Sequence, residues 1–494
     1  MDVEGKLHVV MLPWLAMGHL IPFLELSKRL AREGIVVSFV STPRNIDRVR
    51  SRIPENLSTL IHLIRLPLPP VHNLPHSAEA TIDLPVEKVH YLKAAFDGLE
   101  VPFDDFLQSA SPDWIIYDFA PYWLPSLASK YGLPCAYLSL FSATSMAFFG
   151  PTAMMLSLPT KWETSTDFTR VPKWIPYPSE VVLRKHEIQR ILKAIQENAS
   201  KVSDGYRLGS AVQGCDAVLI RSCKELESNA LRLLETDIYE KPIIPAGLLP
   251  PDVEEMEKSM DEEAMAKWAE ISEWLDRQKQ ESVVYVALGT EACLTQEEIN
   301  ELAHGLELSE LPFFWVFRKL SGLGGDQDAI DIELPSGFKE RTSDRGIVWE
   351  GWAPQVNILA HPSVGGFLTH CGWNSIIEAL GFGRALILFP YLSEQGLNAR
   401  MMESLNVGLE IPRDEHEGSF TSNSVAKSLK MVMVEEEGER LRSNAREMKR
   451  IFGDRDLHDG YIDNLIKYLK NHTKLKASSD NLERDTKNRD PQIV

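Results

Sequence analysis

Residues 352–395 read WAPQVNILAHPSVGGFLTHCGWNSIIEALGFGRALILFPYLSEQ, and the rest of the chain is organised around this stretch. Its apolar run Val364–Thr369 is typical of a buried strand, and Gly372 permits a tight turn just beyond it. Ser375 and Glu378 have the spacing of a capping box, so we expect a helix to start there. A strand, a turn and a helix N-terminus form an anion site, because unpaired N–H groups and the positive end of the helix dipole converge there.

Polar side chains surround this predicted anion site. His370, Asn374 and Ser375 add hydrogen-bond donors at the turn, and a polar loop after the next apolar run carries Glu394 and Gln395. Carboxylate and amide groups suit sugar hydroxyls, because each hydroxyl offers both a donor and an acceptor. The strand, turn and helix taken alone are equally consistent with a structural role.

The whole stretch resembles the donor-binding box of plant family 1 glycosyltransferases, which use UDP-sugars. The box of that family is also 44 residues long, and one position departs from it, since its usual aspartate is Glu394 here. The matching positions are Trp352, Gln355, His370, Gly372, Trp373, Asn374, Ser375, Glu378, Pro390 and Gln395.

The resemblance implies how a UDP-sugar would be held. Trp352 would stack on the uracil, and Glu378 would accept from the ribose hydroxyls. His370, Asn374 and Ser375 would hold the two phosphates. Glu394 and Gln395 would bind the transferred sugar. With Thr290 added as a further phosphate donor, the predicted donor-binding residues are Thr290, Trp352, Ala353, Gln355, His370, Gly372, Trp373, Asn374, Ser375, Glu378, Glu394 and Gln395.

His19 and Asp118 are the predicted catalytic pair. Each follows an apolar run that is typical of a strand, at the carboxyl end where an α/β cleft lies. A neutral imidazole can take the proton of an acceptor hydroxyl, and a carboxylate on its other nitrogen would fix the tautomer and stabilise the cation. His19 in PWLAMGHLIP and Asp118 in IIYDF also match the base and its partner in the resembled family. The chemistry implied is a single inverting displacement.

Strands alternate with helices along the chain, which predicts an α/β fold with parallel sheets. The resemblance implies the GT-B arrangement, two Rossmann-like domains facing a central cleft. We assign residues 1–248 to an N-terminal acceptor-binding domain and 264–453 to a C-terminal UDP-sugar-binding domain, joined by a linker at 249–263. A helix at 454–470 is expected to return to the first domain, and 471–494 to form a disordered tail.

Two further stretches carry structural expectations. Residues 148–213 lack a clear period and are predicted as loops and helices above the first sheet. One helix is predicted from Ser422 to Phe452.

The composition and charge of the chain argue against nucleic-acid-binding and membrane proteins. With 494 residues, a net charge of -19 and a pI near 5.2, the chain lacks the basic face that nucleic acids or anionic membranes require. Its five scattered cysteines, the acidic start of the chain and the lack of an 18-residue apolar run favour a cytoplasmic protein without a membrane span. The protein is expected to be a monomer. No metal or other cofactor is expected, since the UDP-sugar is a co-substrate and Asp326 and Asp328 lie in a glycine-rich loop.

The acceptor is expected to be a flavonoid or terpenoid glycoside. Nearly the whole chain resembles the plant branch that extends an existing sugar, through the motifs at 12–16, 41–45, 95–99 and 460–463. A polar loop could meet an acceptor's hydroxyls, although a solvated loop explains it as well. Its residues are His72, Asn73, His76, Glu79, Thr81 and Asp83.

Two alternatives remain open, and the sequence argues against two others. The donor could be UDP-rhamnose instead of UDP-glucose, and the acceptor an aglycone instead of a glycoside. A protein of the same fold could bind a UDP-sugar without catalysis, although the presence of both His19 and Asp118 opposes this. A dinucleotide oxidoreductase would need Gly-x-Gly-x-x-Gly after the first strand, and the sequence PWLAMGHL does not supply it.

Overall fold

Two parallel β-sheets organise the chain in the computed structural model, which describes residues 6–157, 167–194, 198–289, 292, 294–317, 332–392 and 394–473. The strands of the first sheet are β1 His8–Leu12, β2 Val36–Ser41, β3 Ile61–Arg65, β4 Trp114–Tyr117, β5 Cys135–Ser139, β6 Ala217–Ile220 and β7 Ile243–Pro245. Those of the second are β8 Val283–Ala287, β9 Phe313–Phe317, β10 Gly346–Glu350, β11 Val364–Thr369, β12 Ala385–Leu388 and β13 Gly408–Glu410.

The strand order creates one crevice in each sheet. The first sheet runs β3-β2-β1-β4-β5-β6-β7 and the second runs β10-β9-β8-β11-β12-β13. The order reverses between β1 and β4 and between β8 and β11, and α/β sheets bind ligands beyond the carboxyl ends of such strand pairs. Leu12 is the register partner of Tyr117, and Thr369 of Ala287, so the residues after each pair emerge side by side.

Helices cover both sheets, as the buried, continuously apolar strands require. They are α1 Met17–Arg32, α2 Pro43–Arg50, α3 Val89–Asp97, α4 Glu100–Ala110, α5 Leu124–Lys130, α6 Ala143–Phe149, α7 Thr152–Leu156, α8 Lys185–Ala194, α9 Asp204–Gly214, α10 Lys224–Leu233, α11 Val253–Lys258, α12 Glu262–Asp276, α13 Gln296–Ser309, α14 Phe338–Arg341, α15 Gln355–Ala360, α16 Trp373–Gly381, α17 Gln395–Ser404, α18 Ser422–Met433, α19 Glu439–Phe452 and α20 Arg455–His472.

The predicted helix from Ser422 to Phe452 is two helices, α18 and α19. Val434 leaves the helical conformation, and a short 3-10 turn at Glu436–Gly438 joins the two. A Cβ on Gly438 would lie 1.8 Å from the carbonyl oxygen of Met431, so the chain turns too closely here for a side chain. The periodic apolar pattern continues across this turn, which explains why the sequence suggests one helix.

The predicted linker at 249–263 is also partly helical. Asp252 caps α11, and Asp261 caps α12, whose first residues fall inside the same range. Glu255 of α11 forms ion pairs with Lys28, at 2.9 Å, and with Arg32. The connection therefore lies against α1 of the first sheet.

The last helix, α20, packs on the first sheet. Ile462, Leu465 and Ile466 are buried in one apolar cluster with residues of β1 and α1. The Trp114 indole donates to the carbonyl of Leu469 over 3.0 Å. α20 continues to His472, two residues into the predicted tail, and residues 474–494 lie outside the described part of the chain.

The segment around α8 lies among elements of the first domain in the sequence but packs against the second sheet, the reverse of α20. Val181, Leu183, Ile188 and Ile191 are buried in the apolar cluster of the second sheet, although they precede β6 of the first. This part differs from the expectation that 148–213 would lie above the first sheet, whereas Met155 and Leu208 are buried in an apolar cluster of the first sheet. Apolar spacing shows that a segment is buried but not against which sheet it packs.

Ion pairs fix this crossing segment to the second domain. The guanidinium of Arg184 forms two hydrogen bonds with the Glu410 carboxylate, at 3.0 and 2.8 Å. Arg400 of α17 lies 3.1 Å from Glu410 and also pairs with Glu187 of α8. Glu410, Arg400 and Glu187 are mostly buried, so each of these charges depends on its partners for stability. Arg184 is exposed, so solvent screens its charge.

Candidate active site

His19 and Asp118 meet at the crevice of the first sheet. His19 lies in the first turn of α1, beyond the loop at 13–16 that follows β1, and Asp118 directly follows β4. The imidazole Nδ1 is 2.7 Å from the Asp118 Oδ2, and the side chains are 22% and 2% exposed. An Nδ1 that donates to this carboxylate makes Nε2 the nitrogen that can accept a proton.

Two main-chain N–H groups orient the carboxylate of Asp118. The N–H of Trp14 donates to Oδ2 over 3.0 Å, and the N–H of Phe119 donates to Oδ1 over 2.7 Å. The carboxylate is therefore fixed before any ligand arrives, and it fixes the ring of His19 in turn. Such an oriented pair is suited to general-base chemistry.

His370 lies at the crevice of the second sheet, directly after β11. A Cβ on Gly289 would come within 2.8 Å of its ring, and one on Gly372 within 2.5 Å, so the imidazole fits between two glycine backbones. Burial lowers the pKa of His370 to about 4. The ring is therefore neutral near pH 7, with one N–H that can donate to an anion without carrying a charge.

The helix after this turn starts earlier than the capping-box spacing indicates. Gly372 is the N-cap of α16 and makes no side-chain cap, so Ser375 is the third helical residue and caps nothing. The prediction that Ser375 and Glu378 cap the helix is wrong. A glycine cap contributes no side-chain oxygen, which leaves the first N–H groups of α16 for a bound anion.

Ser375 and Glu378 instead contact the side chain of Gln355. Its amide nitrogen donates to the Glu378 carboxylate over 2.6 Å and to the Ser375 hydroxyl over 3.2 Å. Burial raises the pKa of Glu378, while the hydrogen bond from Gln355 opposes that rise. This cluster brings three of the predicted donor-binding residues together.

The two tryptophans of the predicted donor site behave differently. Trp352 is 44% exposed, which is unusual for so large an apolar side chain and suits a stacking surface beside Ala353. Trp373 is only 3% exposed, and its indole donates to the carbonyl of Arg221 over 2.9 Å. Trp373 therefore belongs to the packing of α16, and its side chain is not placed to touch a ligand.

Glu394 and Gln395 lie at the start of α17, where Glu394 is the N-cap. The Gln395 side-chain oxygen accepts from the N–H groups of Tyr391 and Leu392, over 2.9 and 2.7 Å. This oxygen is committed to shaping the loop, so the amide nitrogen is the atom that can serve a ligand. Of the other predicted donor residues, Thr290 lies outside the described residues.

Asn374 joins the two crevices. Its Nδ2 donates to the carbonyl of Gly18 over 2.9 Å, one residue before His19. Its Oδ1 accepts from Arg221, which follows β6 of the first sheet. Sequence reasoning missed Arg221, although a charged residue at the carboxyl end of a fully apolar strand was a usable signal.

The polar loop after β3 mainly serves the fold. The Glu79 carboxylate accepts from the N–H of Arg44 over 2.7 Å, and Asp83 pairs with Arg48 and accepts from the N–H of Ala80. These two carboxylates are used within the protein, so the expectation that they meet an acceptor is not supported by their contacts.

The motif at 95–99 also has a structural explanation. The carboxylate of Asp97 forms two hydrogen bonds, of 2.6 and 2.7 Å, with the fully buried guanidinium of Arg207. A Cβ on Gly98 would lie 2.5 Å from the Pro69 ring. The motif therefore holds α3 and α4 in place.

The described residues carry neither a candidate metal site nor a candidate membrane span. Within those ranges, no group of three or more His, Cys, Asp or Glu side chains could hold a metal ion, and Asp326 and Asp328 fall outside them. No helix in the same ranges is long and apolar enough to cross a membrane.

Comparison with known proteins gives matches along nearly the whole chain. Residues 245–460 match the family described as UDP-glucoronosyl and UDP-glucosyl transferase, and residues 5–118 match a glycosyltransferase N-terminal domain. UDP-glycosyltransferase 91C1 of Arabidopsis thaliana is 48% identical over 467 residues, which is 94% of this chain and 97% of that protein. The soyasaponin III rhamnosyltransferase of Glycine max is 41% identical, covering 96% of this chain and 98% of its own.

Solved structures agree with the fold. The crystal structure of Glycyrrhiza uralensis UGT73P12, complexed with glycyrrhetinic acid 3-O-monoglucuronide, superposes with a TM-score of 0.78. It is 22% identical and covers 97% of this chain and 99% of that one. The likeness confirms the predicted GT-B fold with two Rossmann-like domains.

Proposed function

The chain belongs to the plant UDP-glycosyltransferase family, and on this premise we propose that it moves glucose from UDP-glucose to a sugar hydroxyl of a small-molecule glycoside. The observation that carries the proposal is the His19–Asp118 pair, 2.7 Å apart, beside the Asn374–Gly18 contact. That contact joins the helix bearing the base to the turn that would hold a diphosphate. A base and a donor site in contact are what sugar transfer requires.

The proposed step is one displacement. Nε2 of His19 takes the proton of the acceptor hydroxyl while its oxygen forms a bond to the anomeric carbon. The bond from that carbon to the UDP oxygen breaks on the opposite side, which inverts the configuration. Asp118 stabilises the imidazolium that results, and bulk solvent later receives the proton.

Charge grows on the departing diphosphate during this step. The first N–H groups of α16 and the neutral ring of His370 are the groups proposed to stabilise it. These groups supply fixed dipoles, so the proposal includes no metal and no further cofactor. Trp352, Glu378 and Gln395 are proposed to hold the uracil, the ribose and the sugar in turn.

A glycoside acceptor is supported by the relative from Glycine max. Its name states that it acts on soyasaponin III, and a saponin already carries sugar. The same name favours UDP-rhamnose as the alternative donor. Transfer to an aglycone is the other alternative, whereas the fixed His19–Asp118 pair argues against a binding protein without catalysis.

We expect a monoglucoside to be preferred over its aglycone. A site that pairs sugar hydroxyls leaves its own polar groups unpaired when the sugar is missing, which can cost about 10⁴-fold in specificity. The measurement compares kcat/KM for one flavonoid or terpenoid and its monoglucoside, with UDP-glucose and UDP-rhamnose tested separately. A preference for the aglycone with both donors would refute the proposed acceptor.

Gln395→Ala is expected to lower kcat/KM for UDP-glucose by about tenfold, the value of one lost hydrogen bond to a substrate. Inhibition by free UDP should be unchanged, because the residue is proposed to bind only the sugar. Gln395→Glu keeps an oxygen that can accept from Tyr391 and Leu392 and replaces the donating nitrogen by a carboxylate oxygen, which only accepts. It should lose as much as Gln395→Ala.

The matched control is Gln296→Ala. Gln296 is also the first residue of a helix in the second domain and shapes its loop through the carbonyl of Glu333, over 2.7 Å. Its loss should leave kcat/KM unchanged. An equal loss of affinity for UDP and UDP-glucose in Gln395→Ala would place this residue at the nucleotide instead.

A further inference from the structure

Arg221 is a buried cation between the two domains. It is 3% exposed and follows β6 at the same sheet edge as His19 and Asp118. Its Nε donates to the carbonyl of Leu248 over 2.7 Å, and its Nη2 donates to that of Leu249 over 3.2 Å. These two contacts fix the guanidinium on the chain that leaves the first domain.

The remaining contact of the guanidinium sets the orientation of an amide. Its Nη1 donates to Oδ1 of Asn374, so the amide oxygen faces the arginine. A flipped amide would direct N–H groups at a guanidinium, which has only donors to offer. The nitrogen of Asn374 is therefore turned toward Gly18, whose carbonyl lies 2.9 Å away.

An amide nitrogen carries two hydrogens. One of them serves the carbonyl of Gly18, and the second can donate to a phosphate oxygen beside the N-terminus of α16. We propose that Arg221 is a positioning residue for the donor diphosphate: it holds the Asn374 amide with its nitrogen toward the ligand. This inference rests on the proposed function, in which the turn at Asn374 binds phosphate.

Two more observations agree with this role. The indole of Trp373 donates to the Arg221 carbonyl, so the first two residues of α16 both contact this arginine. Burial lowers the pKa of Arg221 to about 10, and the negative charges of Glu378 and Glu25 oppose that change. The guanidinium is therefore cationic near neutral pH, as a charge-assisted hydrogen bond requires.

A double-mutant cycle on UDP binding tests the proposal. The Kd of UDP is measured by calorimetry for the unaltered protein, for Asn374→Ala, for Arg221→Met and for the double variant. Asn374→Ala alone should weaken UDP binding about tenfold, as should Arg221→Met alone. In the Arg221→Met background, Asn374→Ala should cost less than about twofold, because an amide that is no longer oriented contributes little.

The outcomes separate the two proposals. If Asn374→Ala weakens UDP equally in both backgrounds, Arg221 does not act through this amide and the inference is refuted, while the phosphate site stands. If Asn374→Ala alone leaves the Kd unchanged, the phosphate assignment fails and the inference fails with it.

Two further variants separate positioning from general stability. Asn374→Asp keeps an oxygen for Arg221 but lacks the N–H, so it should weaken UDP at least as much as Asn374→Ala; wild-type affinity would overturn the inference even if Arg221→Met does not fold. Arg384→Met is the matched control, since Arg384 is buried and donates to the carbonyls of Leu359 and Ala360. It should lower the melting temperature and leave the Kd of UDP unchanged.

Discussion

His19→Ala is expected to reduce turnover by about 10²- to 10⁴-fold, the range typical of a lost general base. UDP should still bind with nearly its original affinity, because the base belongs to the first domain and the proposed nucleotide ligands belong to the second. The fold should also persist, since the Asp118 carboxylate keeps the N–H groups of Trp14 and Phe119 as partners.

The measurement pairs kcat, under conditions where chemistry limits the rate, with the Kd of UDP from calorimetry. His8→Ala is the matched control, because His8 lies at the opposite end of β1 and its ring contacts Ser38, at 2.8 Å. Its kcat should remain that of the unaltered protein. Retention of more than about a tenth of the turnover in His19→Ala would show that another group takes the proton.

Asp118→Asn should cost nearly as much, between about 10²- and 10⁴-fold in kcat. Both oxygens of the Asp118 carboxylate accept from main-chain N–H groups, so an amide nitrogen fits at neither of them. At the Oδ1 position that nitrogen would face the N–H of Phe119, and at the Oδ2 position it would face the N–H of Trp14. In the second arrangement Nδ1 of His19 must accept, which moves the ring proton to Nε2 and blocks the base.

Asp113→Asn provides the comparison for this variant. Asp113 precedes the same strand, β4, and accepts from the N–H of His8 over 2.8 Å, at the edge of the sheet away from the site. Its replacement should affect stability and leave kcat unchanged. An Asp118→Asn protein with near-normal kcat and Kd for UDP would show that the carboxylate neither orients nor stabilises the imidazole.

Much of the architecture follows from the sequence because parallel strands are simple to recognise. β1, β4, β8 and β11 are short apolar runs, and the fold needs them buried on both faces. The positions of Asp118 and His370 follow, since each comes directly after such a run, whereas His19 lies in the helix that follows β1. Their meeting at two crevices follows from the strand order, which periodicity alone does not provide.

The sequence-based predictions fail for two reasons. Some features depend on interactions between distant parts of the chain, and in others a local preference gives way to the needs of the site. Serine is a better helix cap than glycine in general, yet the chain starts α16 at Gly372 and so leaves the helix end open for an anion. The role of Arg221 depends on Asn374, which lies 153 positions away in the sequence. The Asp97–Arg207 pair likewise joins residues whose relation no local pattern reveals.

Each domain is covered in part by a segment from the other part of the chain, and this affects how the protein can fold during its synthesis. Part of the first sheet is covered by Ile462, Leu465 and Ile466 of α20, which are synthesised after all the strands of the second sheet described above. Val181 and Ile188 are made early but are buried only once the second sheet exists. During translation, neither domain can bury all of its apolar surface until the segment that packs on it has been synthesised. A chaperone would bind the nascent chain at this exposed apolar surface.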